Sequence, residues 1–299
     1  MASPALPAVE RLRTFASFVR LEHTLFSLPL LLAGVFSASG PSLSWSRWAL
    51  IAIAAVGART AAMSMNRIID RRIDALNPRT KVRELPAGRM SMMEAVGLLV
   101  ASTAVYVAAC AALGRFFLQV SVIPLAVFAL YPYLKRFTPF CHFGVGLALA
   151  LAPLAGYAAG HPGLESPMVA LALAAFALLW VSGFDIIYAT LDESFDRSSG
   201  IRSMVAWLGR ERALGVSAWL HRGASVALLF VLVLLLRSAP DASAWRLLPA
   251  GACFVLSVGL LEWEQRLAEN VDLAFFKINI WVGATVLAMV LAARWAGGF

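Results

Sequence analysis

The chain has 299 residues, of which 61% are hydrophobic and only 14% charged, and its mean hydropathy is +0.78. Because soluble domains carry roughly 25% charged residues, this composition excludes a soluble globular protein and predicts one all-α, multi-pass membrane bundle over residues 1–299. The formal net charge of +8 suggests nucleic acid as a partner, but the distribution of the charge along the chain excludes that class.

Nine long apolar runs follow one another, with no linker or low-complexity segment between them. Most approach the ~20 residues that a helix needs to cross the hydrocarbon core of a bilayer. The runs are continuous and rich in Ala and Leu, whereas strands of a transmembrane barrel alternate over ~10 residues. We therefore predict about nine transmembrane helices, over 21–39, 45–65, 95–113, 116–134, 143–159, 168–188, 213–236, 245–263 and 273–293.

The basic residues lie mostly on one side of these predicted helices. The N-terminus and the connections that follow the even-numbered helices hold 17 Lys and Arg residues, and the opposite side holds 5. Cytoplasmic connections of membrane proteins carry such an excess. The bias therefore predicts a protein of the cell inner membrane whose N-terminus and two longest connections, 66–92 and 192–212, face the cytoplasm. The charge reports topology and does not indicate a nucleic-acid partner.

Acidic residues concentrate at the two long connections. Five of the seven aspartates lie in them or just before them. Spacings of four and seven residues return to nearly the same face of a helix, so each group would present a column of oxygen ligands. The first group is Asn66, Asp70 and Asp74, and the second is Asp185, Asp192 and Asp196.

These columns predict a metal site more readily than a structural one. Carboxylates four residues apart on a helix repel each other unless a cation compensates them. Mg²⁺ prefers hard oxygen ligands and shares its coordination shell with substrate phosphates and water. For any single aspartate, an ordinary solvated charge paired with a nearby arginine is the alternative. The matching spacing of two groups on one side of the membrane favours a site for Mg²⁺ and diphosphate. The four histidines are scattered, and none is predicted to bind a metal.

The first acidic group resembles a motif of the UbiA superfamily of intramembrane prenyltransferases. Its spacing is similar to NxxxDxxxD, and the chain continues as RTxxRxLPAG from Arg79 to Gly88. The departure is Glu84, which stands where the family usually has proline.

Two further stretches carry the same resemblance. The run from Asp185 to Ser203 is similar to the second family motif, DxxYAxxDxxxDxxxGxxS, and Tyr131 to Arg136 matches a third family feature after the fourth helix. The resemblance covers nearly the whole chain and implies a UbiA-like bundle of nine helices. A helix with spaced acids and an Arg- and Gly-containing loop occurs twice, four helices apart, which suggests two related four-helix halves plus one helix.

The resemblance implies Mg²⁺-dependent transfer of a polyprenyl group from its diphosphate to an aromatic carboxylate such as 4-hydroxybenzoate, in quinone biosynthesis. Asp185 would orient or deprotonate the acceptor, and Tyr188 would either donate a hydrogen bond to the diphosphate or fill space at the interface. The implied Mg²⁺ ligands are Asn66, Asp70 and Asp74 for one ion and Asp192 and Asp196 for another. The implied phosphate contacts are Arg83, Lys135 and Arg136.

Two arginines near the first predicted helices are candidates for binding the acceptor carboxylate. Arg59 lies within the second predicted helix, seven residues before Asn66, and a charge at that depth indicates either function or a pairing with an acid on another helix. Arg20 precedes the first predicted helix, where it would either bind the acceptor or extend to the membrane surface.

Two alternatives remain open at this stage. The opening segment from Val19 to Pro29 resembles a subgroup associated with the futalosine route to menaquinone, whose acceptor would be 1,4-dihydroxy-6-naphthoate. An ion-coupled membrane transporter is the alternative from another class, since intramembrane carboxylates also mark ion pathways. The acids cluster on one side of the membrane and do not mark a route across it, which favours the enzyme.

Overall fold

A computed structural model describes residues 8–20, 24–37, 43–161, 163–240, 242–268, 271 and 277–298. Within these residues the chain is helical and contains no strand, which confirms the predicted all-α class. Eight helical segments among them are long and apolar enough to cross a membrane. The chain is therefore an integral membrane protein. The helices form two compact units, the first of 1–24 and 44–133 and the second of 25–43 and 134–299.

The first unit contains one short N-terminal helix and the predicted second, third and fourth spans. Helix α3 (Trp45–Leu76) packs along α4 (Met92–Leu113), and Gly57 of α3 lies against the backbone of Tyr106 in α4. The fourth predicted run is interrupted at Ser121, because Pro124 has no N–H to donate to the carbonyl of Val120. The helices are α1 (Ala8–Phe18), α3 (Trp45–Leu76), α4 (Met92–Leu113), α5 (Arg115–Val120) and α6 (Val122–Leu134).

The second unit contains the remaining spans around a buried apolar core on α8. Helix α8 packs against α7 on one side and α11 on another, and α12 packs against α13. The helices are α2 (Thr24–Val35), α7 (Cys141–Gly160), α8 (Met168–Ala189), α9 (Glu193–Ser198), α10 (Met204–Leu208), α11 (Arg210–Arg237), α12 (Ala244–Arg266) and α13 (Asn279–Ala296). A 3₁₀ turn, Thr190–Asp192, joins α8 to α9.

The structure corrects several predicted boundaries. The first predicted span, 21–39, is represented by the shorter α2, and residues 21–23 and 38–39 lie outside the described part of the chain. Helix α3 continues eleven residues beyond the predicted end at Met65 and stops at Leu76, because Pro78 disfavours helical backbone at Asn77 before it. The two units do not coincide with the predicted four-helix halves.

Buried polar contacts fix α8 within the second unit. The indole Nε1 of Trp180 donates to Oδ1 of Asn279 at 2.7 Å, and Nδ2 of Asn279 donates to Oε1 of Glu264 at 2.8 Å. The hydroxyl of Ser217 donates to the carbonyl of Gly183 at 2.8 Å. Polar groups in an apolar interior need such partners, so these bonds specify how α8, α11, α12 and α13 pack.

Glycine permits close approach of α2 and α7. A Cβ atom on Gly156 would collide with the carbonyl oxygen of Leu31, and one on Gly34 would collide with that of Pro153. Small residues at such contacts let the backbones of membrane helices meet, and association then rests on van der Waals packing.

Replacement of Gly156 by alanine should therefore destabilise the protein. We expect overpacking to cost about 1–3 kcal/mol and to lower the melting temperature of the detergent-solubilised protein by about 5 °C. The matched control is Gly251→Ala in α12, where no described residue outside the adjacent backbone of α12 comes within 4 Å of the added Cβ. Because alanine favours helix over glycine, the control should melt at or above the wild-type temperature. Equal melting temperatures for the two variants would contradict the close α2–α7 contact.

Candidate active site

The three polar residues of the first motif lie on the last turns of α3. Nδ2 of Asn66 donates to Oδ2 of Asp70 at 3.3 Å, as the four-residue spacing on a helix requires. Asp70 and Asp74 are only 2% and 4% exposed. The structure therefore brings these oxygens together on one face of α3.

The loop after α3 folds back onto Asp74. Nη1 of Arg83 donates to both carboxylate oxygens of Asp74, at 2.8 and 2.9 Å. The hydroxyl of Thr80 donates to the carbonyl of Asp74 at 3.1 Å, which closes the turn. The predicted metal ligand Asp74 and the predicted phosphate contact Arg83 thus bind each other in this structure.

Glu84, the departure from the family pattern, anchors the N-terminal helix. Its side chain is 4% exposed, and Oε1 accepts a hydrogen bond from the hydroxyl of Ser17 at 2.6 Å. Nη2 of the buried Arg67 lies 4.0 Å from Oε2 of Glu84, and Nε of Arg67 donates to the carbonyl of Phe18 at 3.4 Å. Helix α1 is therefore attached to both α3 and the motif loop.

The two arginines predicted to bind the acceptor belong to this unit. Arg59 lies on α3, two turns before Asn66, and is partly buried. Arg20 precedes the first predicted membrane span. It lies in the turn after α1, where its N–H donates to the carbonyl of Ser17 at 3.1 Å and its φ is +49°. The charged stretch before α2 forms a helix of its own, which the apolar runs did not reveal.

The second motif is not one unbroken helical column. Asp185 lies on α8, Asp192 ends the 3₁₀ turn and Asp196 lies on α9. The hydroxyl of Thr190 donates to the carbonyl of Ile187 at 2.7 Å. Threonine side chains that compete for helical carbonyls in this way loosen regular α geometry. The seven-residue spacing therefore does not by itself place Asp185 and Asp192 on one face.

Asp196 is the buried acid of this stretch, and the following loop holds it. The hydroxyl of Ser203 donates to Asp196, and the same oxygen accepts the N–H of Ala206 at 3.2 Å as the N-cap of α10. Gly88 and Gly200 close the two motif loops with φ of +70°, a backbone conformation that glycine adopts without strain. Both motifs thus end in the same kind of turn.

A histidine that the sequence analysis did not select binds Asp185. Nδ1 of His142, at the start of α7, lies 2.7 Å from Oδ2 of Asp185. The N–H of Met204, the first residue of α10, donates to Nε2 of His142 at 3.2 Å. The side chain of His142 is 3% exposed and that of Asp185 is 25% exposed. No metal-ligand spacing marks His142 in the sequence, so its role is visible only in three dimensions.

The third family feature lies beside the second motif. The N–H of Arg202 donates to the carbonyl of Lys135 at 2.7 Å, and Nη1 of Arg202 donates to the carbonyl of Phe137 at 2.8 Å. Lys135 and Asp196 are close enough to attract each other electrostatically. Arg136 follows Lys135, and Tyr188 lies partly buried on α8, three residues after Asp185.

The side-chain oxygens of each motif are suitable ligands for a magnesium ion that also binds oxygens of the substrate. Among the residues that the structure describes, no group of three His, Cys, Asp or Glu side chains is preassembled for a metal. Mg²⁺ typically takes one or two protein carboxylates and completes its shell with phosphate and water oxygens. The buried oxygens of Asp70 and Asp74 on successive turns of α3 suit that pattern once Arg83 moves to a phosphate. Asp192 and Asp196 suit it in the second unit.

Comparison with known proteins agrees with these motifs. Residues 27–282 match the UbiA prenyltransferase family. The chain is 26% identical over 304 residues to a 4-hydroxybenzoate octaprenyltransferase of Vibrio campbellii, covering 96% of this chain and 100% of that protein. It is 30% identical to a 4-hydroxybenzoate octaprenyltransferase of Serratia proteamaculans, covering 95% and 93%.

Solved structures show the same fold. The apo structure of a UbiA homolog from Aeropyrum pernix K1 matches with a TM-score of 0.79 and 33% identity, over 90% of this chain and 97% of that one. A UbiA homolog from Archaeoglobus fulgidus bound to GPP and Mg²⁺ matches with a TM-score of 0.69 and 19% identity, over 96% and 100%. At that identity the second likeness concerns the fold alone.

The buried contact between Glu84 and Ser17 predicts that Glu84 retains α1. Glu84→Ala should leave the hydroxyl of Ser17 unpaired and weaken the attachment by about 1–3 kcal/mol, so trypsin should cleave at Arg11 and Arg13 several-fold faster. Glu84→Gln keeps an acceptor oxygen and should resemble the wild type. The double variant with Ser17→Ala and Glu84→Ala should be cleaved by trypsin about as fast as either single variant. An unchanged cleavage rate in Glu84→Ala would contradict this anchor.

Proposed function

The chain belongs to the UbiA prenyltransferase family, and on this premise we propose that it transfers a polyprenyl group from polyprenyl diphosphate to a 4-hydroxybenzoate-like aromatic carboxylate. The observation that carries the proposal is the pair of acidic motifs, one on α3 and one that begins at the end of α8. The relatives named above support the same acceptor class. The match over residues 27–282 supports one catalytic domain that extends over the whole chain.

The reaction is written as an electrophilic aromatic substitution. The bond between C1 of the prenyl chain and the diphosphate oxygen breaks, and the oxygen keeps the electron pair. C1 then bonds to the ring carbon beside the acceptor hydroxyl, and that carbon loses its proton. An apolar intramembrane environment would protect the allylic cation from water, and a held acceptor would place the ring carbon next to C1.

Acidic residues would hold Mg²⁺, and basic residues would bind the diphosphate directly. When bound, Mg²⁺ stabilises the negative charge that develops on the leaving oxygens. Cationic side chains add to that stabilisation, and the hydroxyl of Tyr188 would donate a further hydrogen bond. Asn66, Asp70 and Asp74 would hold one ion, and Asp192 and Asp196 the other. Arg83, Lys135 and Arg136 would bind the phosphate oxygens.

The acceptor would be held by other residues. Asp185 would accept a proton or a hydrogen bond from the acceptor, because its carboxylate is partly exposed beside the second motif. Arg59 or Arg20 would bind the acceptor carboxylate. The second acceptor, 1,4-dihydroxy-6-naphthoate, is supported by the segment from Val19 to Pro29, of which residues 21–23 lie outside the described part of the chain.

The distribution of basic residues supports an orientation in the cell inner membrane. The connections that carry both acidic motifs would face the cytoplasm, because 17 of the 25 Lys and Arg residues fall on that side of the predicted spans.

The acceptor assay tests the proposal directly. Detergent-solubilised protein with Mg²⁺ and a set of prenyl diphosphates should prenylate 4-hydroxybenzoate or 1,4-dihydroxy-6-naphthoate, with products identified by mass spectrometry. The decarboxylated analogues should react poorly, because they lack the group that an arginine binds. Detergent solution has only one compartment, so product formation there distinguishes the enzyme from a transporter. Equal rates for the decarboxylated analogues would remove the proposed role of Arg59 and Arg20.

Variants of the acidic motifs test the metal assignment. Asp70→Asn and Asp192→Asn should each lower kcat by at least ~100-fold, because each removes a carboxylate that would hold the Mg²⁺ at the leaving group. EDTA should abolish transfer by the wild type, and added Mg²⁺ should restore it. Glu211→Gln, an exposed acid outside both motifs, is the matched control and should retain wild-type turnover. Near-normal turnover of either aspartate variant would contradict the assignment.

A further inference from the structure

The contact between His142 and Asp185 has a defined direction. The amide of Met204 can only donate, so Nε2 of His142 accepts with its lone pair. A neutral imidazole then carries its hydrogen on Nδ1, and this N–H donates to Oδ2 of Asp185 at 2.7 Å. Asp185 is therefore the acceptor in the pair, with one oxygen held by His142.

This arrangement leaves His142 no free atom for proton transfer. Both ring nitrogens are engaged, and the residue is 2% exposed. The amide of Met204 belongs to the first turn of α10, whose N–H groups have no partner within their own helix. His142 thus connects Asp185, the first acid of the second motif, to α10, the helix that follows Ser203 at the end of that motif.

The other carboxylate oxygen of Asp185 is available to a ligand. Among the described residues, no hydrogen bond reaches Oδ1, and the side chain is 25% exposed. A carboxylate held through one oxygen cannot rotate without breaking that bond. Its second oxygen therefore keeps a fixed direction, which is the requirement for orienting a substrate.

We propose that His142 is a positioning residue, which holds Asp185 so that only Oδ1 is presented to the aromatic acceptor. This inference rests on the proposed function, since Asp185 acts on the acceptor only if the chain transfers prenyl groups to one. It assigns no substrate contact to His142 itself. The competing explanation is structural: His142 only caps the buried N–H of Met204 and stabilises α10.

Two substitutions separate the two hydrogen bonds. In His142→Asn, the side-chain amide nitrogen lies near the place of Nδ1 and can still donate to Asp185. The asparagine side chain is too short to reach the N–H of Met204. In His142→Gln, the amide oxygen lies near the place of Nε2 and can still accept from Met204, while the bond to Asp185 is weakened. His142→Leu removes both bonds.

If His142 positions Asp185, the variants His142→Asn and His142→Gln should rank in opposite order for kcat and for melting temperature. His142→Asn should keep kcat within about threefold of the wild type and melt at a lower temperature. His142→Gln should melt near the wild-type temperature and lose about 10- to 100-fold in kcat, with little change in KM for the prenyl diphosphate. Asp185→Asn should abolish the difference in kcat between the two variants, because they act through Asp185.

The opposite result is equally clear. If His142 only caps α10, activity follows stability, and His142→Gln is at least as active as His142→Asn. Equal kcat values for the two variants, at any level, also contradict the proposal.

A measurement without substrate keeps this inference separate from the proposed function. In ¹⁵N-histidine NMR spectra, with His142→Gln used for assignment, Nδ1 should be protonated and Nε2 should not. The reverse tautomer or a doubly protonated ring would overturn the positioning role. Failure of the wild type to prenylate any aromatic acid would overturn the proposed function, while the spectra would still decide the geometry.

Discussion

Carboxylates buried in an apolar helical bundle need donors, and this requirement governs the arrangement of both motifs. Removing an ionised carboxylate from water is costly unless hydrogen bonds or an opposite charge compensate it. Every buried acid among the described residues has such a donor on the same helix, in the following loop or on a neighbouring helix. The pairs are Asp70 with Asn66, Asp74 with Arg83, Glu84 with Ser17, Asp196 with Ser203 and Glu264 with Asn279.

The two motifs meet this requirement differently. In the first, a bidentate arginine neutralises Asp74, so a diphosphate that attracts Arg83 would release two oxygens to a cation at the same time. In the second, a hydroxyl and an imidazole donate to the acids: Ser203 donates to Asp196, and His142 donates to Asp185.

The sequence predicted the fold class and the acidic motifs because both depend on local patterns. Apolar runs of about 20 residues report membrane helices directly, and the four-residue spacing predicted that Asn66 and Asp70 share one face of a helix. Helix α1 was missed because it is short and mixed in composition. The role of His142 was missed because its partners lie 43 and 62 residues away, and no periodicity records a tertiary contact. The predicted span ends at Met65 because the apolar residues end there. The helix itself continues to Leu76, before Pro78.

Glu84 shows how a departure from a motif can retain the function of the residue it replaces. Proline at this position would restrict the loop through its own ring, which fixes φ. Glu84 restricts the loop through its side chain, because its carboxylate accepts the hydroxyl hydrogen of Ser17. Its carbonyl accepts the N–H groups of Arg89 and Met90 at 2.9 and 3.1 Å, which a proline carbonyl also could do. The restraint therefore moves from a covalent ring to tertiary hydrogen bonds. Helix α1 then becomes part of what holds Arg83 against Asp74, so the geometry of the first motif depends on a segment that lies outside it in the sequence.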